Sequence, residues 1–266
     1  MKIITLIDNY VEKASLYSEH GLSIFIDTGN SKILFDTGQS DNFIHNAKEL
    51  GIDLMDIDFV VLSHGHYDHT GGLYHFLRLN KKAKVICKKD IFLPKYNSKN
   101  KFIGLIYDEE LLKNRIHYID TVTEIADNIF ILPDINISES ADTNFNSLKV
   151  SIDNCLVEDE MKDELFIVIK HQTKISILTA CSHRGITNIC TTATDYFNLP
   201  VNLILGGFHL KECSREQYLY IVEFFNTILP MLIGTCHCTG VEMFSNLKRD
   251  IRSFIFYNYT GRVINV

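Results

Sequence analysis

Ser63-His64-Gly65-His66-Tyr67-Asp68-His69-Thr70-Gly71-Gly72 decides how this chain of 266 residues is read. It follows directly on Phe59-Val60-Val61-Leu62, a continuous apolar run of the kind that forms a strand buried on both faces. Alternate residues of an extended segment share a face, so His64, His66 and Asp68 point together and His69 turns towards a neighbouring position. Three imidazoles and a carboxylate at that density are ligands for zinc, manganese or iron. Thr70-Gly71-Gly72 then lets the backbone turn tightly into a helix.

The same placement recurs three times downstream. Ala180 is followed by Cys181-Ser182-His183, Leu205 by Gly206-Gly207-Phe208-His209, and Ile233 by Gly234-Thr235-Cys236-His237. Ligands on loops at strand ends converge at one edge of a sheet while the strands stay rigid. Further strands are expected at Ile3–Ile7, Leu22–Ile26, Lys32–Phe35, Val85–Cys87, Ile129–Leu132, Phe166–Lys170, Lys174–Ala180 and Phe254–Phe256. Helical spacing marks Asp41–Leu50, Leu73–Leu79, Thr187–Tyr196, Ser214–Ile228 and Val241–Ile251, with Asp41 and Ser214 as N-caps and Gly51 closing the first. Residues 88–115 are polar and mixed, and 133–163 read as loop. No repeat, low-complexity segment or linker appears, so a single domain over 1–266, built of two similar layered halves, is expected.

Hydrophobic residues make up 46 % and charged residues 22 %, an ordinary globular composition. The net charge of −7 argues against a nucleic-acid partner. No apolar run reaches the ~18–20 residues of a membrane span, so no membrane partner is expected. The seven cysteines are odd in number and scattered, and no export signal precedes them. Free thiols in a reducing cytoplasm are the expectation. A homo-oligomer stays open.

At the histidines the chain also resembles a known family. His64-Gly65-His66-Tyr67-Asp68-His69 is similar to the H-x-H-x-D-H signature of the metallo-β-lactamase superfamily. Asp8-Asn9, Glu19-His20-Gly21-Leu22-Ser23, Leu34-Phe35-Asp36-Thr37-Gly38, Asp56-Ile57-Asp58, Cys181-Ser182-His183-Arg184-Gly185-Ile186, Gly206-Gly207-Phe208-His209-Leu210 and His237-Cys238-Thr239-Gly240 resemble one subgroup. It is the methanopterin-synthase-like proteins, named for dihydropterin-6-methyl-(ribofuranosyl)aminobenzene-5′-phosphate synthase. The resemblance covers nearly the whole chain and is weakest at 88–160. It implies an α/β (α+β) fold, the four-layer αββα metallo-β-lactamase sandwich, and one or two divalent metal ions, zinc first and manganese or iron next.

Carried over residue by residue, the resemblance makes His64, His66 and His183 ligands of a first metal, and Asp68, His69 and His237 ligands of a second. One departure stands out. Lactamase-like members place a histidine before the penultimate hairpin and a metal-bridging aspartate after it. Here no histidine lies between Glu124 and Lys170, and His183 stands where that aspartate would be. The site then holds two metals without a carboxylate bridge, or one tight and one weak metal. Asp163 or Glu164, just before the hairpin, either helps the metal site or, as the favoured reading, is a solvated loop acid. His209 is read as a substrate-phosphate contact or general acid, with metal ligation as the alternative. Asp36 is either an acceptor for a ligand imidazole N–H or a turn-stabilising acid. The resemblance brings His20 near the substrate, with a structural histidine as the alternative, and Arg184 is either a contact to an anionic substrate or an exposed arginine. Cys236 and Cys238 flank His237; a thiolate ligand is one reading, but strand alternation points both away from the histidine and favours core packing, and Cys181 reads as a buried small residue.

A metal-dependent enzyme acting on a phosphorylated small molecule is therefore expected. In a hydrolytic version, activated water attacks a phosphoester and Asp68 orients it. In the subgroup version, an arylamine displaces pyrophosphate from a pterin diphosphate. Two rival classes remain, a non-haem di-iron redox protein and a catalytically silent metal- or ligand-binding receptor.

Overall fold

Strands with apolar residues on both faces are gathered, in the computed structural model describing residues 1–266, into two mixed seven-stranded sheets, each within its own compact unit. The first unit comprises Met1–Ile119, Ser147–Asp163 and Tyr259–Val266. Its large sheet runs in the order Val263–Asn265, Lys2–Ile7, Ser23–Asp27, Lys32–Phe35, Phe59–Val61, Lys84–Cys87, Ile116–Tyr118. The first four strands are antiparallel neighbours, and from Lys32–Phe35 onward the pairing is parallel. The helices Asn42–Glu49 and Leu73–Leu79 cover one face, where Phe43, Ala47, Leu73, Phe76 and Leu77 pack on Leu6, Phe25, Leu34, Val60 and Val85.

The second unit comprises Asp120–Asn146 and Glu164–Asn258. Its sheet runs in the order Phe254–Tyr257, Leu232–Thr235, Val201–Gly206, Ile175–Leu178, Phe166–Lys170, Ile129–Leu132, Thr123–Ala126. The first four strands are parallel and the remaining pairs antiparallel. Ile189, Ala193, Ile221, Phe225 and Leu247, from the helices Ile186–Phe197, Arg215–Ile228 and Val241–Asp250, cover one face. Each unit thus supplies a β layer and an α layer of the expected α/β class. No helix is long and apolar enough to cross a membrane.

The helix expected from Leu73 to Leu79 and the strands at Lys32–Phe35, Ile129–Leu132 and Phe166–Lys170 have the bounds read from the sequence. Ser214 caps its helix by accepting from the Gln217 N–H, whereas Asp41 makes no side-chain cap bond. The expectation of loop over 133–163 needs correction. Lys149–Ile152 and Cys155–Glu158 form a hairpin, and Lys95–Tyr96 pairs with its first strand in a small third sheet. The turn is Asp153-Asn154 with φ of 51° and 65°, the left-handed pair a tight hairpin requires. That dipeptide was the available signal, but the flanking strands are short and Cys155–Glu158 is exposed throughout, so no burial period announces them.

Candidate metal-binding clusters

The histidine loops leave the carboxyl ends of parallel strands, the side on which open α/β sheets bind ligands. In the first unit Asp36 follows Lys32–Phe35, and Ser63-His64 follow Phe59–Val61 after a single residue. Asp36 is fully buried and receives three hydrogen bonds: from the Ser63 N–H (2.8 Å), from the Ser63 hydroxyl (2.7 Å) and from His69 Nδ1 (2.7 Å). Because the Ser63 proton goes to Asp36, its oxygen accepts from His64 Nδ1 at 2.8 Å. A single carboxylate therefore places protons on Nδ1 of both His64 and His69 and leaves both Nε2 atoms as lone-pair donors. His64 Nε2 lies 3.1 Å from His66 Nδ1. Two nitrogens bound at about 2.0–2.1 Å to one tetrahedral zinc stand about 3.3–3.4 Å apart, so this pair fits a shared ion.

Asp68 Oδ2 lies 3.7 Å from His69 Nε2 and 3.2 Å from Nε2 of the half-exposed His20. The loop is held in place by its backbone. The Thr37 N–H and hydroxyl both donate to the His69 carbonyl, and the Leu22 N–H donates to the Asp68 carbonyl. A Cβ on Gly72 would fall 2.3 Å from the Thr37 carbonyl oxygen, so the expected glycine turn is required by close packing.

In the second unit Cys181, His183, His209 and His237 follow Ile175–Leu178, Val201–Gly206 and Leu232–Thr235. One ligand atom each of Cys181, His183 and His209 lie within 4.8 Å of one another, and so do those of Cys181, His237 and Cys238. His183 donates from Nδ1 to the Asn144 carbonyl (3.0 Å), which again places the lone pair on Nε2. Its ring centroid is 4.4 Å from that of His209. Cys238 was expected to point away from His237. Instead its sulfur accepts from the His209 N–H (3.3 Å) and donates to the Cys181 carbonyl (3.6 Å). The alternation rule fails there because His237 has φ +50° and opens a 3₁₀ turn. Burial opposes ionisation of the Cys238 thiol, but a hydrogen bond from the Cys181 side chain and the imidazoles of His237 and His209 outweigh it and bring the thiol well below its ordinary range. Arg184 turns its guanidinium to the Ile135 carbonyl.

Four non-glycine residues in these loops, Asp36, Ser182, His209 and His237, adopt the left-handed conformation. Each costs about 1–3 kcal/mol, and such outliers gather at functional sites.

Three acids are buried beside these loops, of which the sequence singles out Asp163 and Glu164 but not Asp142. Asp163 and Glu164 are not solvated; both are 1 % exposed. Asp163 accepts the Gly65 N–H (2.7 Å), and Glu164 accepts those of His183 (2.8 Å) and Arg184 (2.7 Å). Asp142 accepts from the N–H and hydroxyl of Thr187, both at 2.7 Å. Burial pushes its carboxyl up to about 6 against those bonds. The unfolded chain loses this proton near 3.8 while the folded protein keeps it, so stability falls as pH rises from about 4 to 6. At about 1.4 kcal/mol per unit the loss is about 3 kcal/mol. Asp142→Asn is expected to gain that amount relative to the parent between pH 4 and pH 7 in urea unfolding. A pH-independent difference would refute the assignment.

Residues 17–144 match the family model described as the metallo-beta-lactamase superfamily. The solved structure of Tm1679, described as a metal-dependent hydrolase of the beta-lactamase superfamily, superposes with a TM-score of 0.88 at 32 % identity, over 100 % of this chain and 99 % of that one. A Methanocaldococcus jannaschii protein named only as uncharacterized is 32 % identical over 98 % of both chains. The 7,8-dihydropterin-6-methyl-4-(beta-D-ribofuranosyl)-aminobenzene-5′-phosphate synthase of the same organism is 27 % identical over 99 % of this chain and 96 % of its own.

Proposed function

The chain belongs to the metallo-beta-lactamase superfamily, and from that premise we propose that it is a metal-dependent enzyme acting on a phosphoester or diphosphate of a small molecule. The observation that carries the reading is the Asp36 carboxylate, which orients His69 by its own bond and His64 through the Ser63 hydroxyl. His64, His66, Asp68 and His69 are the proposed ligands in the first unit, and His183 and His237 in the second. A bound divalent ion, zinc first, supplies Lewis acidity towards a phosphoryl oxygen and lowers the pKa of water.

Asp68 orients the attacking group and takes its proton, and His20 Nε2, 3.2 Å from Oδ2, shares it. His209 contacts the phosphoryl group. Arg184 is the weaker substrate contact, because its guanidinium already serves the Ile135 carbonyl. The seven free cysteines support a cytoplasmic setting.

Metal-depleted protein is expected to be inactive on a panel of phosphoesters and nucleoside or pterin diphosphates, and to recover with zinc or manganese. His64→Ala and His183→Ala should each bind less metal. Turnover unaffected by chelation, or wild-type metal content in both variants, would overturn the reading. The end-to-end similarity to the pterin-related synthase favours a second version, transfer with release of pyrophosphate. Pyrophosphate release that requires an arylamine would select it over hydrolysis.

A further inference from the structure

Lys95 is 2 % exposed, yet it carries an ammonium group. Its Nζ donates to Asp159 Oδ2 (2.6 Å) and to Asp163 Oδ1 (2.9 Å), and both acids are buried as well. Burial disfavours the charged ammonium, but the two carboxylates outweigh that and hold it above its ordinary range. The second oxygen of Asp163 accepts the N–H of Gly65, the residue between His64 and His66. Asp163 is thus tied at both oxygens and cannot rotate without losing a bond to the ammonium or to that peptide.

The packing points the same way. A Cβ on Gly65 would lie 2.4 Å from the Ile91 carbonyl oxygen and 2.9 Å from Lys95 Cε, so the peptide rests on the lysine stem. Lys95 is itself anchored, because its strand pairs with Val150 and its carbonyl accepts the Ile103 N–H. Asp159 is fixed by accepting the Met161 N–H at 2.8 Å.

Stability alone does not account for three buried charges. Apolar residues of similar volume generally do as well or better in such positions. We propose that Lys95, clamped by Asp159 and Asp163, is a positioning residue that holds the Gly65 peptide so that His64 and His66 keep metal-binding spacing. The proposal rests on the reading that these two imidazoles are ligands.

The decisive variant is Lys95→Met/Asp159→Leu/Asp163→Leu, which replaces the charged cluster by apolar side chains and leaves every proposed ligand in place. It is expected to unfold cooperatively, like the parent. In competition with a chromophoric chelator its zinc affinity should be tenfold or more weaker, as when partners of ligand histidines are lost elsewhere. Wild-type affinity in the folded variant overturns the proposal. Should that variant not fold, Asp163→Asn decides. Its amide oxygen still accepts from Gly65, but its nitrogen faces the ammonium, so a weakened zinc affinity is expected and an unchanged one overturns the proposal. His64→Ala separates the two levels. Unchanged zinc affinity in His64→Ala overturns the ligand reading and the proposal with it. Loss in His64→Ala with none in the cluster variants overturns the positioning role alone.

Discussion

Asp36→Asn is expected to abolish tight zinc binding while keeping most of the fold's stability, and Asp36→Ala to lose both. In the asparagine variant the amide oxygen continues to accept the Ser63 N–H. The amide nitrogen then stands where Oδ2 now accepts from the Ser63 hydroxyl and from His69. A donor at that point reverses the relay. His69 must accept at Nδ1 and carry its proton on Nε2. Ser63 turns its own proton towards His64 Nδ1, which moves the His64 proton to Nε2 too. Two ligand lone pairs are lost to one substitution, and affinity should fall a hundredfold or more, at or beyond the upper end of partner effects. Asn also tolerates the φ of +58° at this position.

Alanine leaves three buried donors without an acceptor. At about 1–3 kcal/mol each, with partial relaxation, unfolding free energy should drop by about 3–5 kcal/mol. Chelator competition and urea unfolding of metal-free protein separate the two variants, and the ¹⁵N shifts of the imidazoles read the tautomers directly. Wild-type zinc affinity in Asp36→Asn, or unchanged ring shifts, would sink the relay.

Gly206→Ala is the second large effect. Gly206 ends the strand Val201–Gly206 with φ +147°, and a Cβ there would fall 2.0 Å from the Thr179 carbonyl oxygen. That oxygen belongs to main chain that directly follows the strand Ile175–Leu178 and is held by the Thr179 N–H bond to the Leu205 carbonyl, so it has no flexible end to yield. Overpacking and a strained φ together should cost about 3–5 kcal/mol. For a chain of this size the melting temperature should fall by roughly 10 °C. The displaced backbone leads directly to Gly207, which packs on Cys238, and to His209. The Gly206 carbonyl also accepts the Cys236 N–H beside His237, so metal held through the proposed ligands His183 and His237 should drop as well. A variant that melts and loads with metal like the parent would show that the loop accommodates the methyl group.

Most strands and helices were legible because their signals are local. Apolar runs mark Lys32–Phe35 and Phe166–Lys170, helical spacing marks Leu73–Leu79, and Ser214 caps as its position foretells. The exposed hairpin around Asp153-Asn154 escaped because it buries too little to impose a period. Cys238 was misjudged because strand alternation was extended into a 3₁₀ turn that begins on a left-handed histidine.

From the sequence alone came the family, the fold class and the histidine motifs, all written in residues adjacent along the chain. Which imidazole nitrogen carries the lone pair was decided only by tertiary structure, since it depends on Asp36, 27 residues before Ser63. So was the burial of Asp163, whose partners Gly65 and Lys95 stand 98 and 68 residues away. An acid between Lys162 and Glu164 carries no local mark of burial. Its environment is set by which distant N–H and ammonium groups the fold brings to it, and hydrogen bonds of that separation leave no periodic trace in the sequence.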